Sequence, residues 1–234
     1  MGPDRLVCAS FRTAPSHPIA PIPGAGADAR MSTPDLILPT YESHGPDWAK
    51  SRDRSLVEKR WLDRMIAHTP LHSSRRRVLD LGCGSGRPIA QYLSERGLTV
   101  TGVDGAAAMI ALFRQALPRA RAIHADMRGL ALGEPFDAIL AWDSFFHLSA
   151  RDQRAMFSTF ASHAAPRAAL MFTSGPEEGE EIGSIAGEPV YHASLSPDDY
   201  RALLTKAGFE VVDFKPQDPE CGGRTVWLAR FTDE

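Results

Sequence analysis

One ten-residue segment, residues 78–87 (VLDLGCGSGR), constrains the fold more strongly than any other part of the chain. An apolar run typical of a buried strand leads directly into a loop that has glycine at every second position, Gly82, Gly84 and Gly86. Glycine allows a loop to adopt positive φ and to approach a ligand closely. In a doubly wound α/β sheet, a nucleotide-like ligand lies at such a turn after the first strand. The segment therefore predicts a strand–loop–helix unit with a ligand site at its glycines.

Beyond this loop, strand and helix patterns alternate along the chain. Such alternation predicts a mostly parallel sheet that is covered by helices on both faces. The predicted helices occupy 88–96, 106–117, 149–164 and 196–208, and the predicted strands occupy 77–81, 98–103, 120–124, 136–142, 168–173, 209–214 and 225–231.

Three segments fall outside this alternation of strands and helices: residues 1–40, 41–70 and 174–196. Residues 1–40 contain scattered prolines and no hydrophobic period, which predicts a disordered tail ahead of a single domain at 41–234. We expect a protein that starts at Met31 to keep the fold. Residues 41–70 have a helical hydrophobic period and are predicted to form an N-terminal helical cover. The acidic connection 174–196 is long for a loop and also contains apolar residues, which predicts a lid over the site.

Composition excludes several classes of protein. Twenty-six basic and 29 acidic side chains give a net charge of −3, which disfavours a nucleic-acid partner. No apolar run reaches the length of a membrane-spanning helix, so no membrane partner is expected. The three cysteines are scattered, which argues against a zinc site or a disulfide framework and favours a reducing cytoplasm.

The spacing of the glycines restricts the class of ligand that the loop can bind. A dinucleotide fingerprint needs a small residue where this chain has Arg87, and no P-loop pattern occurs. The pattern present is the tighter G-x-G-x-G, followed by Asp104 at the end of the second predicted strand. A carboxylate at that position can accept hydrogen bonds from a ribose diol. A ligand that has a ribose but no pyrophosphate fits these features.

Taken together, the motifs resemble class I S-adenosylmethionine-dependent methyltransferases over roughly residues 41–234. The matching segments are VLDLGCGSGR (78–87), VTGVD (100–104), Ala125-Asp126-Met127, FDAILAWDSFFHL (136–148), 208–212 and 225–231. The resemblance implies an α/β fold with a doubly wound, mostly parallel seven-stranded sheet, helices on both faces and an antiparallel last strand. It also implies a methyltransferase that uses S-adenosyl-L-methionine, releases S-adenosyl-L-homocysteine and needs no metal.

The family pattern also implies which side chains bind the cofactor. The glycines of the loop would pass under the methionine moiety, whose amino group would face Asp80, while Asp104 would bind the ribose hydroxyls. The remaining expected cofactor contacts are Asp126 and Met127 at the adenine, Trp142 beside the cofactor, and Tyr41 over the carboxylate end. This sequence has Gly105 where the family usually has a larger residue after the strand-two acid, which removes a side-chain contact to adenine.

For the acceptor, the residues around strand four and in the predicted lid are the candidates. His147 and His192 are candidate general bases, and Asp143 is a candidate catalytic residue and substrate contact, because an amine could partner its carboxylate. Phe146, Tyr191 and His192 complete the predicted substrate site. A core role for Tyr191 with a solvated His192, and a structural role for His147, remain open alternatives.

The predicted reaction is methyl transfer to a nitrogen or oxygen atom of a small-molecule acceptor. An RNA or protein methyltransferase, a thiol or metalloid methyltransferase and a non-catalytic cofactor-binding protein remain as alternatives. The [DN]-P-P-[FYW] tetrapeptide of amino methylation in nucleic acids is absent after strand four. A homodimer is left open.

Overall fold

A computed structural model of the protein describes residues 32–70 and 76–232, so residues 1–31 of the predicted tail at 1–40 lie outside the described residues. The nine strands in this part of the chain are β1 (Arg77–Leu81), β2 (Thr99–Asp104), β3 (Arg121–His124), β4 (Phe136–Ala141), β5 (Ala164–Ser174), β6 (Gly179–Ile185), β7 (Glu188–Ser194), β8 (Phe209–Asp218) and β9 (Arg224–Phe231). The six α-helices are α1 (Ile37–Ser51), α2 (Lys59–Ala67), α3 (Ile89–Glu95), α4 (Ala107–Ala116), α5 (Ala150–His163) and α6 (Pro197–Lys206).

Seven of the strands form one sheet in the order β3-β2-β1-β4-β5-β9-β8. The first four neighbouring pairs are parallel, and β9 is antiparallel to both β5 and β8. The predicted doubly wound sheet with an antiparallel last strand is therefore confirmed. Strand β4 is buried along its whole length, as expected for a central parallel strand that is covered on both faces.

Helices cover both faces because each contributes an apolar stripe. On one face, Trp61, Leu62 and Met65 of α2 pack with residues of α3 and α4. On the other, Phe157 and Phe160 of α5 pack with residues of α6. None of the helices in the two described ranges is long and apolar enough to cross a membrane. The two layers fix the strand ends at which the site is built.

The N-terminal cover begins earlier than the sequence predicts. The predicted tail extends to residue 40, yet a 3₁₀ turn occupies Pro34–Leu36 and α1 begins at Ile37. The prolines made this helix look like a tail in the sequence. Pro39 is tolerated because it lies in the first turn, where a backbone N–H has no acceptor within the helix, and Pro46 lies inside the helix. Helix α1 lies against α4 and the β6–β7 hairpin, so tertiary packing outweighs the weak local signal.

The predicted lid loop at 174–196 is instead a β-hairpin over most of its length. Strands β6 and β7 pair in antiparallel register, with Glu181 opposite His192, and connect through Ala186 and Gly187, both at positive φ. A two-residue turn of this kind matches the twist of the flanking strands. Glu180 and Glu181 fall on the exposed strand β6, while most of β7 is buried. The pairing of β6 with β7 satisfies the backbone of a segment that looked like a loop, and the hairpin packs on α1 through apolar side chains.

Candidate active site

The glycine loop adopts a conformation that other residues would not reach without strain. Gly82, Gly84 and Gly86 have φ of +71°, +53° and +76°. A Cβ atom added to Gly82 would lie 2.3 Å from the Cβ of Ser144, and one added to Gly86 would lie 2.5 Å from Leu117 Cδ1. Both distances are too short for real contacts, so the loop requires glycine for its φ and for its close packing.

Above this loop lies a cavity of about 710 Å³, which we call the first cavity. Eight of the nine predicted cofactor residues line it: Tyr41, Asp80, Gly82, Gly84, Gly86, Asp104, Met127 and Trp142. Trp142 is buried, and its indole N–H has no hydrogen-bond partner within the described ranges. The structure thus brings together residues that are far apart in the sequence.

Asp80 is a buried carboxylate in the wall of the first cavity. Burial, together with the nearby Asp104 carboxylate, raises the pKa of Asp80 to about 7. The cost of ionising Asp80 in this surrounding falls when a cation lies beside it. The site therefore suits an ammonium group next to Asp80.

Asp104 is held by two backbone donors. Its Oδ2 accepts from the N–H of Gly84 at 2.9 Å, and its Oδ1 accepts from the N–H of Ala106 at 2.9 Å. Burial raises the pKa of Asp104, against the effect of these two hydrogen bonds. Each carboxylate oxygen keeps a lone pair for a further donor. The arrangement fits a vicinal diol, because it presents two acceptor atoms in a fixed position.

Asp126, which was predicted to contact the adenine, lies outside the wall of the first cavity. Its carboxylate instead accepts from Nε and Nη2 of Arg128, while Met127 does line the cavity. The reason is local, because a guanidinium two residues away reaches both carboxylate oxygens. Gly105 also has a structural reason: a Cβ there would lie 2.5 Å from Leu38 Cδ2 of α1, which fills this space.

A second cavity, of about 1,210 Å³, adjoins the first. Its apolar wall includes Leu56, Val57, Phe146, Ile185 and Val190, and its polar wall includes Arg52, Glu58, Asp143, His192 and Arg224. The two cavities share the residues Tyr41, Trp48, Arg52, Asp143 and His147. A ligand in the first cavity and a ligand in the second would therefore meet at a common wall.

His147 is a neutral imidazole with both ring nitrogens engaged. Nδ1 donates to the backbone carbonyl of Tyr191 at 2.9 Å, so Nε2 accepts from the hydroxyl of Tyr41 at 3.0 Å. Burial, reinforced by His192 nearby, lowers the pKa of His147 to about 4. Burial and the Asp104 and Asp143 carboxylates raise the pKa of Tyr41. The predicted role of His147 as a free general base is not compatible with these bonds, and the residue positions Tyr41.

Asp143 already has a cationic partner within the chain. Nε of Arg224 donates to both carboxylate oxygens at 2.9 and 3.0 Å, and Nη2 of the same arginine lies 2.9 Å from Oδ2. Asp143 has a φ of +48°, and its N–H donates to Thr173 Oγ1 at 2.9 Å. Arg224 thus already supplies the partner that the sequence analysis expected from an acceptor amine, while Asp143 lines both cavities. No sequence signal pointed to Arg224, because its approach depends on the pairing of β5 with β9.

The hairpin separates two residues that the sequence analysis assigned to the same site. His192 lines the second cavity, with its ring centroid 4.6 Å from that of Phe146 and 4.9 Å from that of His147. Burial lowers the pKa of His192. Tyr191 lines neither cavity; it is 6% exposed and donates to Glu180 Oε1 at 2.7 Å. Neighbouring residues of a strand point to opposite faces, so the two side chains cannot both face an acceptor.

Comparison with known proteins shows similarity to methyltransferases. The family profile described as a methyltransferase domain matches residues 78–167. The trans-aconitate 2-methyltransferase of Escherichia fergusonii is 34% identical over 191 residues, which cover 76% of this chain and 68% of the relative. The dTDP-3-amino-3,6-dideoxy-alpha-D-glucopyranose N,N-dimethyltransferase of Streptomyces fradiae is 34% identical over 146 residues, which cover 61% of this chain and 53% of the relative. The chain thus spans about half the length of the second relative.

Solved structures share the fold at low sequence identity. The amino pentose methyltransferase CalS10 from Micromonospora echinaspora, with bound S-adenosylmethionine, has a TM-score of 0.63 at 22% identity and covers 82% of this chain and 97% of its own. Magnesium protoporphyrin IX methyltransferase from Synechocystis, with the same ligand bound, has a TM-score of 0.64 at 18% identity and covers 87% of this chain and 99% of its own. At these identities the likeness concerns the fold alone.

Proposed function

The chain belongs to the S-adenosylmethionine-dependent methyltransferases, and we propose that it transfers a methyl group to a nitrogen or oxygen atom of a small molecule held in the second cavity. The observation that carries this proposal is the common wall of the two cavities, formed by Tyr41, Trp48, Arg52, Asp143 and His147. Methyl transfer by direct displacement requires the donor and the acceptor to be aligned at such a junction, with water excluded.

The residues of the first cavity fit the cofactor by charge and shape. Asp80 suits the ammonium of the methionine moiety, and Asp104 suits the ribose diol. The only hydroxyl hydrogen of Tyr41 is already donated to His147, so Tyr41 cannot also donate to the methionine carboxylate. Arg52, a half-buried arginine that lines both cavities, is the cation that we assign to that carboxylate.

S-Adenosylmethionine, when bound, supplies an electrophilic methyl group on a sulfonium. Neutral His147 adds no positive charge to the common wall and orients the Tyr41 hydroxyl so that its oxygen keeps a lone pair. His192 and Phe146 form the neighbouring wall of the second cavity. In this proposal the protein acts by orientation and exclusion of water, with Tyr41 held in place by His147 and Asp143 held by Arg224.

A small acceptor is favoured over a macromolecule because the second cavity is walled by the segment after α1 and by the hairpin. The two relatives are named for activities on an amino sugar and on trans-aconitate, which are acceptors of this size. Nitrogen and oxygen acceptors both fit this site, in which both ring nitrogens of His147 are engaged, provided that the acceptor atom is already deprotonated or readily loses its proton.

Calorimetric binding of S-adenosylhomocysteine to the wild-type protein and to Asp104→Ala tests the cofactor assignment. The variant should lose roughly 1.5–3 kcal/mol of binding free energy, because hydrogen bonds to a charged acceptor are removed. Asp137→Asn is the matched control, since Asp137 is a buried carboxylate of β4 that accepts from the N–H of Arg77 outside both cavities. Absence of binding to the wild-type protein, or equal affinity of Asp104→Ala, contradicts the assignment.

Turnover tests the reaction itself. Release of S-adenosylhomocysteine is measured against panels of small amines, phenols, carboxylic acids and thiols. We expect turnover with an amine, phenol or carboxylic acid. Turnover with thiols alone contradicts the proposed acceptor atoms. A protein that binds the cofactor but methylates only RNA or protein contradicts the proposed acceptor size.

A further inference from the structure

Glu58 is a buried carboxylate in the second cavity that pairs with a guanidinium only at long range and accepts no hydrogen bond from the described residues. Its side chain is 5% exposed, and it lines the second cavity but not the first. No hydrogen bond from another described residue reaches its carboxylate, and the nearest guanidinium nitrogen, Nη2 of Arg52, lies 3.7 Å from Oε1. A buried carboxylate without hydrogen bonds is costly, so this group is suited to a ligand that donates to it.

Arg52 is the cation that the two cavities share. Its side chain is 18% exposed, its guanidinium lies over the ring of Trp48 at 5.1 Å, and its distances to Glu58 and Asp143 are 3.7 and 4.0 Å. Neither distance is that of a hydrogen bond. A carboxylate in the first cavity therefore competes with Glu58 for the same guanidinium.

Arg224 does not replace Arg52 as the partner of Glu58. Its positive charge does interact with Glu58, but its hydrogen bonds go to Asp143 and to the carbonyl of Cys221. The pair of Asp143 and Arg224 is neutral as a whole. Once the methionine carboxylate engages Arg52, Glu58 is the unbalanced buried charge on the acceptor side of the polar wall, whereas the other carboxylate there without a cation, Asp53, is exposed.

We propose that Glu58 recognises the acceptor by binding a protonated amine, so that the substrates of this protein are small amine-bearing molecules. This inference rests on the proposed function, since it requires the cofactor carboxylate to engage Arg52. The apolar wall of Leu56, Val57 and Phe146 contacts the hydrocarbon part of such a molecule. A carboxylate acceptor is disfavoured, because Glu58 would repel it and both arginines are engaged.

The experiment compares three probes with one skeleton: 2-phenylethylamine, 2-phenylethanol and 3-phenylpropanoate. Their affinities for the wild-type protein saturated with S-adenosylhomocysteine are measured by calorimetry. The amine should bind at least tenfold more tightly than the alcohol or the acid, and more tightly with S-adenosylhomocysteine than without it. Equal or tighter binding of the alcohol or the acid, or no binding of the amine to the complex, overturns the proposal.

Two variants assign the preference to one side chain. Glu58→Gln should lower the affinity for the amine at least tenfold and leave that for the alcohol unchanged. Asp53→Asn is the matched control, because Asp53 is an exposed carboxylate at the edge of the same cavity, hydrogen-bonded to Ser55. Retention of the amine preference in Glu58→Gln overturns the proposal, as does its loss in Asp53→Asn.

The affinity for S-adenosylhomocysteine is measured first on each protein, because it distinguishes failure of the proposed function from failure of the proposed role of Glu58. Failure of the wild-type protein to bind it refutes the proposed function. Normal binding without a preference for the amine refutes only the role of Glu58. The comparison of probes on the wild-type protein does not depend on whether a variant folds.

Discussion

Replacing Asp80 by asparagine should stabilise the cofactor-free protein while weakening cofactor binding. Asp80 is 4% exposed in the first cavity, and burial together with the Asp104 carboxylate raises its pKa from 3.8 to about 7. A pKa that is higher in the folded than in the unfolded state means that the folded protein retains the proton more tightly. Asp80 therefore lowers stability progressively as the pH rises from 3.8 through about 7.

The size of this effect follows from the shift in pKa. One pKa unit corresponds to about 1.4 kcal/mol, so ionised Asp80 costs roughly 4 kcal/mol above pH 7 and less than about 1 kcal/mol near pH 4. Asparagine has a similar shape and no charge. The free energy of unfolding of Asp80→Asn should therefore exceed that of the wild-type protein by up to roughly 4 kcal/mol at pH 8, and the two should converge near pH 4.

Urea denaturation of the cofactor-free proteins between pH 4 and 8 measures the difference, and calorimetry with S-adenosylhomocysteine measures the functional cost. Loss of the carboxylate should lower the affinity at least about tenfold, or 1.4 kcal/mol. Asp137→Asn should leave that affinity unchanged, since its carboxylate lies outside the cavity. A stability difference that does not grow with pH refutes the account of Asp80, and unchanged affinity refutes its role toward the ammonium.

Further predictions concern the common wall and the hairpin. The pKa of His147 is lowered from 6.5 to about 4, so the wild-type protein should lose roughly 3 kcal/mol of stability as the pH falls from 6.5 through 4, and denaturation of His147→Gln should show a shallower dependence. Arg224→Met should lower the free energy of unfolding by about 1–3 kcal/mol, because it leaves Asp143 without its hydrogen-bonded cation; equal urea midpoints would contradict this. With an identified acceptor, His192→Ala should lower kcat/KM about tenfold, or 1.4 kcal/mol, whereas Tyr191→Phe should change it less than about twofold. Equal losses in these two variants would mean that both side chains reach the acceptor.

Much of the fold could be predicted because its signals are local. The segment 78–87 encodes a strand, a loop that requires glycine and the start of a helix within ten residues. The helix starts at Ser149 and Ser196 were likewise visible, since each serine accepts from a backbone N–H three residues later. Elements that tertiary contacts stabilise were harder to predict from the sequence. The prolines of α1 are typical of a disordered tail, and the glutamates of the hairpin are typical of a loop.

The residues of the candidate site also differ in whether local sequence or tertiary contacts determine their position. Residues that follow directly from a strand end, such as Asp80 and Asp104, were predictable because parallel strands bring their carboxyl ends to one edge of the sheet. The role of Asp143 was not, because its partner Arg224 is 81 residues away. The sequence offered no way to foresee that Tyr41 and His147, 106 residues apart, share a hydrogen bond.

The sequence by itself determined the α/β class, the glycine loop, and the order along the chain of the seven strands of the main sheet and the four helices after residue 76. These features depend on hydrophobic period and on backbone conformations within short windows. Only the tertiary structure decided which charges neutralise each other and which remain for a ligand. Asp143 pairs with Arg224, whereas Glu58 lies 3.7 Å from a guanidinium that faces both cavities. The energy of a charge depends on its burial and on the distance to its neighbours, and neither quantity exists before the chain has folded.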